Sequence, residues 1–199
     1  MRVLSDSEVH DWLAAFPHRT EEDVQFDARG LFFSGPETSC IDLEYPIKLE
    51  QLPFFARYLA TIGYENHDFQ GALVWFTDWG VWNLAEESVG YRLVEAVHTA
   101  AGQPKAFEAA PGHRFRADEL NETVGMLLLP MIFCWDAVYL PSWSYGTEQF
   151  FLHVSHDSYV TVVTRTKDFY ERIFSLLEEL DMQPKSGHEL SVKRFCRIS

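Results

Sequence analysis

Five consecutive residues, His153-Val154-Ser155-His156-Asp157, form the densest group of side chains with acid, base or metal-ligand chemistry in the sequence. Two imidazoles at this spacing would share one face of a helix. This stretch is instead predicted to be a strand running into a turn, where positions 153 and 156 point to opposite faces unless the turn redirects the second. A zinc site needs four ligands, and the sequence specifies neither a third nor a fourth. His153, His156 and Asp157 are therefore candidate catalytic residues, no metal is expected, and a polar hairpin tip is the simpler interpretation.

Ser144 is a further catalytic candidate, because Ser142-Trp143-Ser144-Tyr145-Gly146 partly matches the G-x-S-x-G pattern of a nucleophile elbow. With one of the two histidines and Asp157 it would complete a Ser-His-Asp triad. The elbow requires a helix after the serine, however, and the sequence predicts another strand. The first glycine of the pattern is also replaced by Ser142. A proline-bounded loop with aromatic contacts is the interpretation we favour.

The tryptophans indicate where a ligand or partner could bind. Trp75, Trp79 and Trp82 lie in one short region, and Trp135 and Trp143 flank another predicted strand. Tryptophan is enriched both in ligand pockets and at the centres of protein interfaces. We expect Trp75, Trp82 and Trp135 to be core residues. The candidate binding residues are Trp79 and Asp78, in a predicted turn, and Trp143, in a predicted loop.

The cysteines and the missing motifs argue against cofactor chemistry. Cys40, Cys134 and Cys196 are widely spaced and include no C-x-x-C pair, which is typical of reduced thiols that act as small hydrophobic residues. Cys134 is predicted to lie mid-strand among apolar neighbours, where a reactive thiolate is disfavoured. The sequence has neither a P-loop nor a dinucleotide-binding glycine motif. No cofactor is expected.

Hydrophobic periodicity together with start and stop signals defines the elements that must position these residues. Counted from their capping residues, helices are predicted at 5–16, 49–62, 83–102, 118–129 and 167–181. Strands are predicted at 30–34, 40–45, 71–76, 132–140, 149–155 and 158–164. The last two strands form the clearest hairpin, and the first two are predicted to form another around Gly35-Pro36.

This order of elements predicts an α+β fold rather than a doubly wound parallel sheet. We expect a single compact domain over residues 1–199, with a mainly antiparallel sheet and helices packed on one face. The third helix is predicted to carry its apolar stripe on Val89, Leu93, Val97 and Ala100. The stretch around Pro111-Gly112 is predicted to be a polar loop.

The charge balance excludes several partner classes. Thirty acidic residues oppose 16 basic ones, giving a net charge of −14, whereas nucleic-acid binding needs clustered Lys and Arg. No apolar run reaches the roughly 18–20 residues that span a bilayer, and residues 1–8 turn acidic where a signal peptide would be apolar. We therefore predict a cytoplasmic protein that binds neither nucleic acid nor membrane. Residues 183–199 are locally basic, and residues 190–198 are predicted to add an edge strand.

The function predicted from this composition is a non-enzymatic, acidic protein-binding module of the inhibitor or immunity type, with a basic protein as its partner. Its 16 Phe, 8 Tyr and 6 Trp side chains supply both a core and anchors for that partner. The alternative is a small-molecule-binding or hydrolytic domain with a site near Trp79 and the hairpin that carries His153, His156 and Asp157. A third hypothesis is a homodimer that pairs through the C-terminal segment at 183–199.

Overall fold

A computed structural model describes residues 1–14, 24–27, 30–33, 39–46, 48–64, 69–79, 89–143 and 150–164, together with Glu171 and Ser175. The helices in these ranges are α1 (Asp6–Ala14), α2 (Leu52–Tyr64), α3 (Val89–Ala100) and α4 (Leu120–Phe133). The strands are β1 (Arg2–Leu4), β2 (Val24–Asp27), β3 (Gly30–Phe33), β4 (Ser39–Glu44), β5 (Phe69–Asp78), β6 (Gly112–Arg116), β7 (Asp136–Trp143), β8 (Phe150–Ser155) and β9 (Tyr159–Thr164). The predicted helix at 167–181, apart from its two described positions, and the predicted strand at 190–198 lie outside these ranges.

The strands form one seven-stranded sheet in the order β1-β6-β5-β7-β8-β9-β4, and every neighbouring pair in it is antiparallel. A separate antiparallel ribbon is made by β2 and β3. The predicted α+β fold with an antiparallel sheet is thus confirmed. In the part of the chain described, no helix is both long and apolar enough to cross a membrane.

Both faces of the sheet are apolar, because alternate side chains of the central strands enter two different clusters. The three-helix face packs against α2, α3 and α4 and includes Val74, Tyr139 and Leu152. The opposite face, which we call the α1 face, includes Trp75 and Val138 together with side chains of α1. Three of the four helices therefore pack on one face as predicted, and α1 lies on the other.

The start of α1 follows its predicted capping box. The backbone N–H of Ser5 donates to Glu8 Oε2 at 2.9 Å, and the N–H of Glu8 donates to Ser5 Oγ at 3.3 Å. Two donors that the helix itself leaves unpaired are thereby satisfied. The first hydrogen bond is also the main reason that the pKa of Glu8 falls to about 2.

The predicted hairpin around Gly35-Pro36 is wrong. Residues 30–33 pair with β2, and β4 instead forms the edge of the main sheet beside β9. The predicted loop around Pro111-Gly112 is also wrong, since β6 starts at Gly112 and pairs with both β1 and β5. Pairings between strands so far apart in sequence leave no local signal in the chain.

The border between α4 and β7 also differs from the prediction. The helix runs through Pro130 to Phe133, and Cys134 ends it in the left-handed conformation at φ 54°. The N–H of Trp135 then closes the turn on the carbonyl oxygen of Pro130 at 3.0 Å. Cys134 is therefore an exposed helix-end residue and not the mid-strand residue we predicted.

Candidate functional site

The strand order brings several polar side chains to one end of the main sheet. Asp78 ends β5 opposite Asp136, the first residue of β7. The turn between β8 and β9, which holds His156 and Asp157, closes at the same end because adjacent strands run in opposite directions. We call Asp78, Asp136, His156 and Asp157 the acidic sheet end.

Asp136 and His156 form a hydrogen-bonded dyad. Asp136 Oδ1 accepts the backbone N–H of His156 at 2.7 Å and lies 2.9 Å from its Nδ1. Nε2 of the imidazole faces outward, 3.6 Å from Asp157 Oδ1. The hydrogen bond to Asp136 is the main reason that the pKa of His156 is raised; partial burial opposes it, and the charges of Asp136, Asp157 and Asp78 add to it. The carboxylate therefore orients the ring and stabilises its protonated form.

His153 lies in a different environment from His156. It pairs across the sheet with Val138 and Thr161 on the α1 face and is 4% exposed. Its Nδ1 has no hydrogen-bond partner in the described structure. Burial lowers the pKa of His153 to about 4 in spite of nearby Asp136 and Asp42. Strand alternation thus buries His153 as a neutral side chain, while the turn directs His156 outward to Asp136.

The exposed side of α3 is a second candidate surface. The helix buries Gly90, Tyr91, Val94 and His98, so the predicted assignment of its inner stripe is wrong. The residues predicted to face the core are instead exposed, with Val89 at 68%, Leu93 at 44% and Val97 at 37%. We call these three residues and the exposed Ala96 the α3 stripe.

The first turn of α3 packs on two aromatic residues that lie just before β7 in the chain. A Cβ atom added at Gly90 would lie 2.7 Å from the ring of Trp135 and 2.9 Å from that of Phe133. Trp135 directly precedes Asp136 in the chain. The buried side of the first turn of α3 therefore packs on the residue that precedes Asp136 in the chain.

No protein-family model matches the chain, and no curated protein or solved structure is significantly similar to it. Function must therefore be inferred from the residues of the acidic sheet end and of α3.

The predicted binding residues do not come together in one site. Trp79 is half-buried, with its ring 4.9 Å from that of Phe107, and so it does not protrude as a turn residue would. Asp78 is exposed at the acidic sheet end. Trp143 ends β7 opposite Phe69, and a strand of this length separates it from Asp136 by about 23 Å. Ser144 and Trp82 lie outside the described residues, whereas Trp75 and Trp135 are buried as predicted.

Asp136 is the site residue that the sequence reasoning missed. The predicted strand at 132–140 placed it mid-strand with no defined partner, whereas it starts β7 and meets the β8–β9 turn across the sheet. Its contact with His156 depends on the pairing of β7 with β8. Among the described residues no group of three or more His, Cys, Asp or Glu side chains is placed to hold a metal ion.

Proposed function

We propose that the protein is a non-enzymatic protein-binding module of the inhibitor or immunity type, and that the α3 stripe is the centre of its binding surface. The observation that carries this proposal is the exposure of Val89, Leu93 and Val97 along one side of a helix whose other side is already buried. A helix that is apolar on both sides normally lies in a protein interior. Apolar anchors that recur about every three to four residues along one side of a helix are the pattern by which a helix occupies an apolar groove in a partner.

Charge favours a basic partner. The chain carries a net charge of −14, and Trp135, on which Gly90 of α3 packs, directly precedes Asp136 of the acidic sheet end. A groove lined by apolar residues and bordered by Lys or Arg would complement both features. Association with such a partner should weaken steeply as salt screens the border charges.

The first test compares variants of two exposed apolar sites. A partner captured from native lysate at low salt and then purified is titrated against wild type, L93S/V97S and F54S. Phe54 is the matched control, because it is 73% exposed on α2 and lies outside the α3 stripe. Removing two apolar anchors should raise Kd by about 10-fold or more, and F54S should bind as wild type does. Equal affinity of L93S/V97S and wild type, with both folded, would contradict the proposal.

The Asp136–His156 dyad favours a second candidate function, hydrolysis of a small ester. Neutral His156, held through Nδ1 by Asp136, would take a proton from water at Nε2 while the water oxygen attacks the ester carbonyl. The acyl C–O bond then breaks, and Nε2 of the imidazolium returns its proton to the departing alkoxide, which leaves as the alcohol. This role requires the ring to be neutral, so the rate should rise as pH passes above the raised pKa of His156.

Hydrolysis of p-nitrophenyl acetate tests this second candidate. H156Q should lower the rate by about 100-fold or more. H10Q removes an exposed histidine of α1 and controls for unspecific imidazole catalysis. If H156Q hydrolyses the ester at the wild-type rate, the hydrolytic function is rejected.

A further inference from the structure

Two histidines form a fully buried pair between α3 and the sheet. His98 lies in the last turn of α3, and His113 lies in β6 between Val3 and Val74 on the three-helix face. Their Nε2 atoms are 2.7 Å apart, and Nδ1 of His98 is 2.7 Å from the carbonyl oxygen of Lys105. Neither side chain is accessible to solvent.

These contacts fix the position of every proton on the pair. A carbonyl oxygen can only accept, so Nδ1 of His98 carries its proton and donates it to Lys105. In the neutral ring, Nε2 of His98 is then an acceptor, and Nε2 of His113 must donate to it. Nδ1 of His113 is left as the free lone pair, buried and without a hydrogen-bond partner in the described structure.

An additional proton would place a positive charge on a fully buried pair. On Nε2 of His98 it would face the N–H of His113 across 2.7 Å. On Nδ1 of His113 it would be favoured by the carbonyl groups of Val74 and Pro111, but burial of the ring outweighs this attraction.

The charged groups around the pair do not compensate for its burial. Glu95 of α3 favours protonation of His98, whereas Lys105, which is paired with Glu8, opposes it. Burial is the largest influence on both rings: it lowers the pKa of His98 and brings that of His113 to about 3. Burial therefore favours the neutral form of both rings in the folded protein.

We propose that the His98–His113 pair makes α3 a proton-sensitive element that mild acidification releases from the sheet. Opening of α3 exposes both imidazoles to water, where each can bind a proton that the closed state excludes. If the α3 stripe is the binding surface, acidification also removes that surface; this last step rests on the proposed function, whereas the opening of α3 does not.

Hydrogen exchange of the backbone amides of α3, measured by mass spectrometry at several pH values and corrected for the intrinsic rate, tests the opening directly. With an open-state histidine pKa near 6.5, uptake of two protons should raise the opening constant about 100-fold between pH 7.5 and pH 5.5. The internal control is α4, a helix without histidine. A change in α3 no larger than the change in α4 would overturn the proposal.

Two variants separate this pair from other titrating groups. H98Q/H113F contains no imidazole at the pair and should lose the pH dependence of α3 exchange. H153Q removes a buried histidine on the α1 face and should retain it. A pH response that persists in H98Q/H113F would overturn the proposal.

If H98Q/H113F does not fold, 15N NMR of the wild-type imidazoles decides instead. The structure requires a proton on Nδ1 of His98 and on Nε2 of His113 in the neutral pair, and the proposal requires that both rings stay neutral in the closed state at pH 5.5. A protonated ring in the closed state would overturn the proposal. Neither measurement uses a partner, so a failure of the proposed function and a failure of the switch give different results.

Discussion

His153 and His156 are three residues apart in sequence and respond to pH in opposite directions. Because the folded-state pKa of His156 is raised by Asp136, its contact stabilises the fold below the unfolded histidine pKa of about 6.5 and is lost as pH rises through the raised value. His153 is buried and has its pKa lowered to about 4. Burial of His153 therefore lowers the free energy of unfolding as pH falls from about 6.5 toward about 4.

Replacing Asp136 by Asn should lower the pKa of His156 toward that of a free histidine. The variant keeps an oxygen that can accept the backbone N–H of His156, and it removes the charge that favours the protonated ring. An NMR titration of the imidazole resonances measures the change. D118N, at an exposed carboxylate beside Arg116, is the control and should leave the titration of His156 unchanged. A titration of His156 that is the same in D136N and wild type would show that Asp136 does not set its charge.

The close packing of α3 on the sheet depends on Gly90, which has no Cβ atom. Gly90 lets the helix approach the buried ring of Trp135, and a Cβ in its place would meet that ring at 2.7 Å. Gly125 of α4 is exposed and has no neighbour within 4 Å of the corresponding position.

Alanine at these two glycines should have opposite effects on stability. G125A should raise the free energy of unfolding by about 0.5–1 kcal/mol, because alanine has the better helix propensity. G90A should lower it by about 1–2 kcal/mol, since overpacking against Trp135 exceeds that gain. Urea unfolding with unchanged m-values measures both. If G90A and G125A had the same free energy of unfolding, the ring of Trp135 would have to shift away from the new methyl group at no cost.

The sequence predicted those elements whose signals are local. The capping box starts α1 where expected, and the hairpin of β8 and β9 follows from its two β-branched and aromatic arms. It could not assign the inner side of α3, because apolar residues occupy two stripes of that helix and the core includes His98. The run from Met126 to Trp135 was ambiguous for a related reason, since a buried helix and a buried strand are both apolar throughout.

For the molecule as a whole, the α+β class was predictable and the candidate site was predictable only in part. His153, His156 and Asp157 were identified by residue type. Asp136 was not, because its contact with His156 exists only after β7 pairs with β8. The contact of His98 with His113 was not predictable for the same reason, because His113 lies in β6, which the sequence predicted to be a polar loop.

The strand order also has a consequence for synthesis on the ribosome. The edge strand β4 is completed by β9, and the contact between Asp42 and Thr161 spans 119 residues. At typical elongation rates, a separation of this length leaves β4 without its partner for roughly 6–24 s. During that time Ile41 and Leu43, which are buried in the finished fold, are exposed on a nascent chain. The strand order thus leaves this apolar segment without its partner strand until most of the domain has been translated.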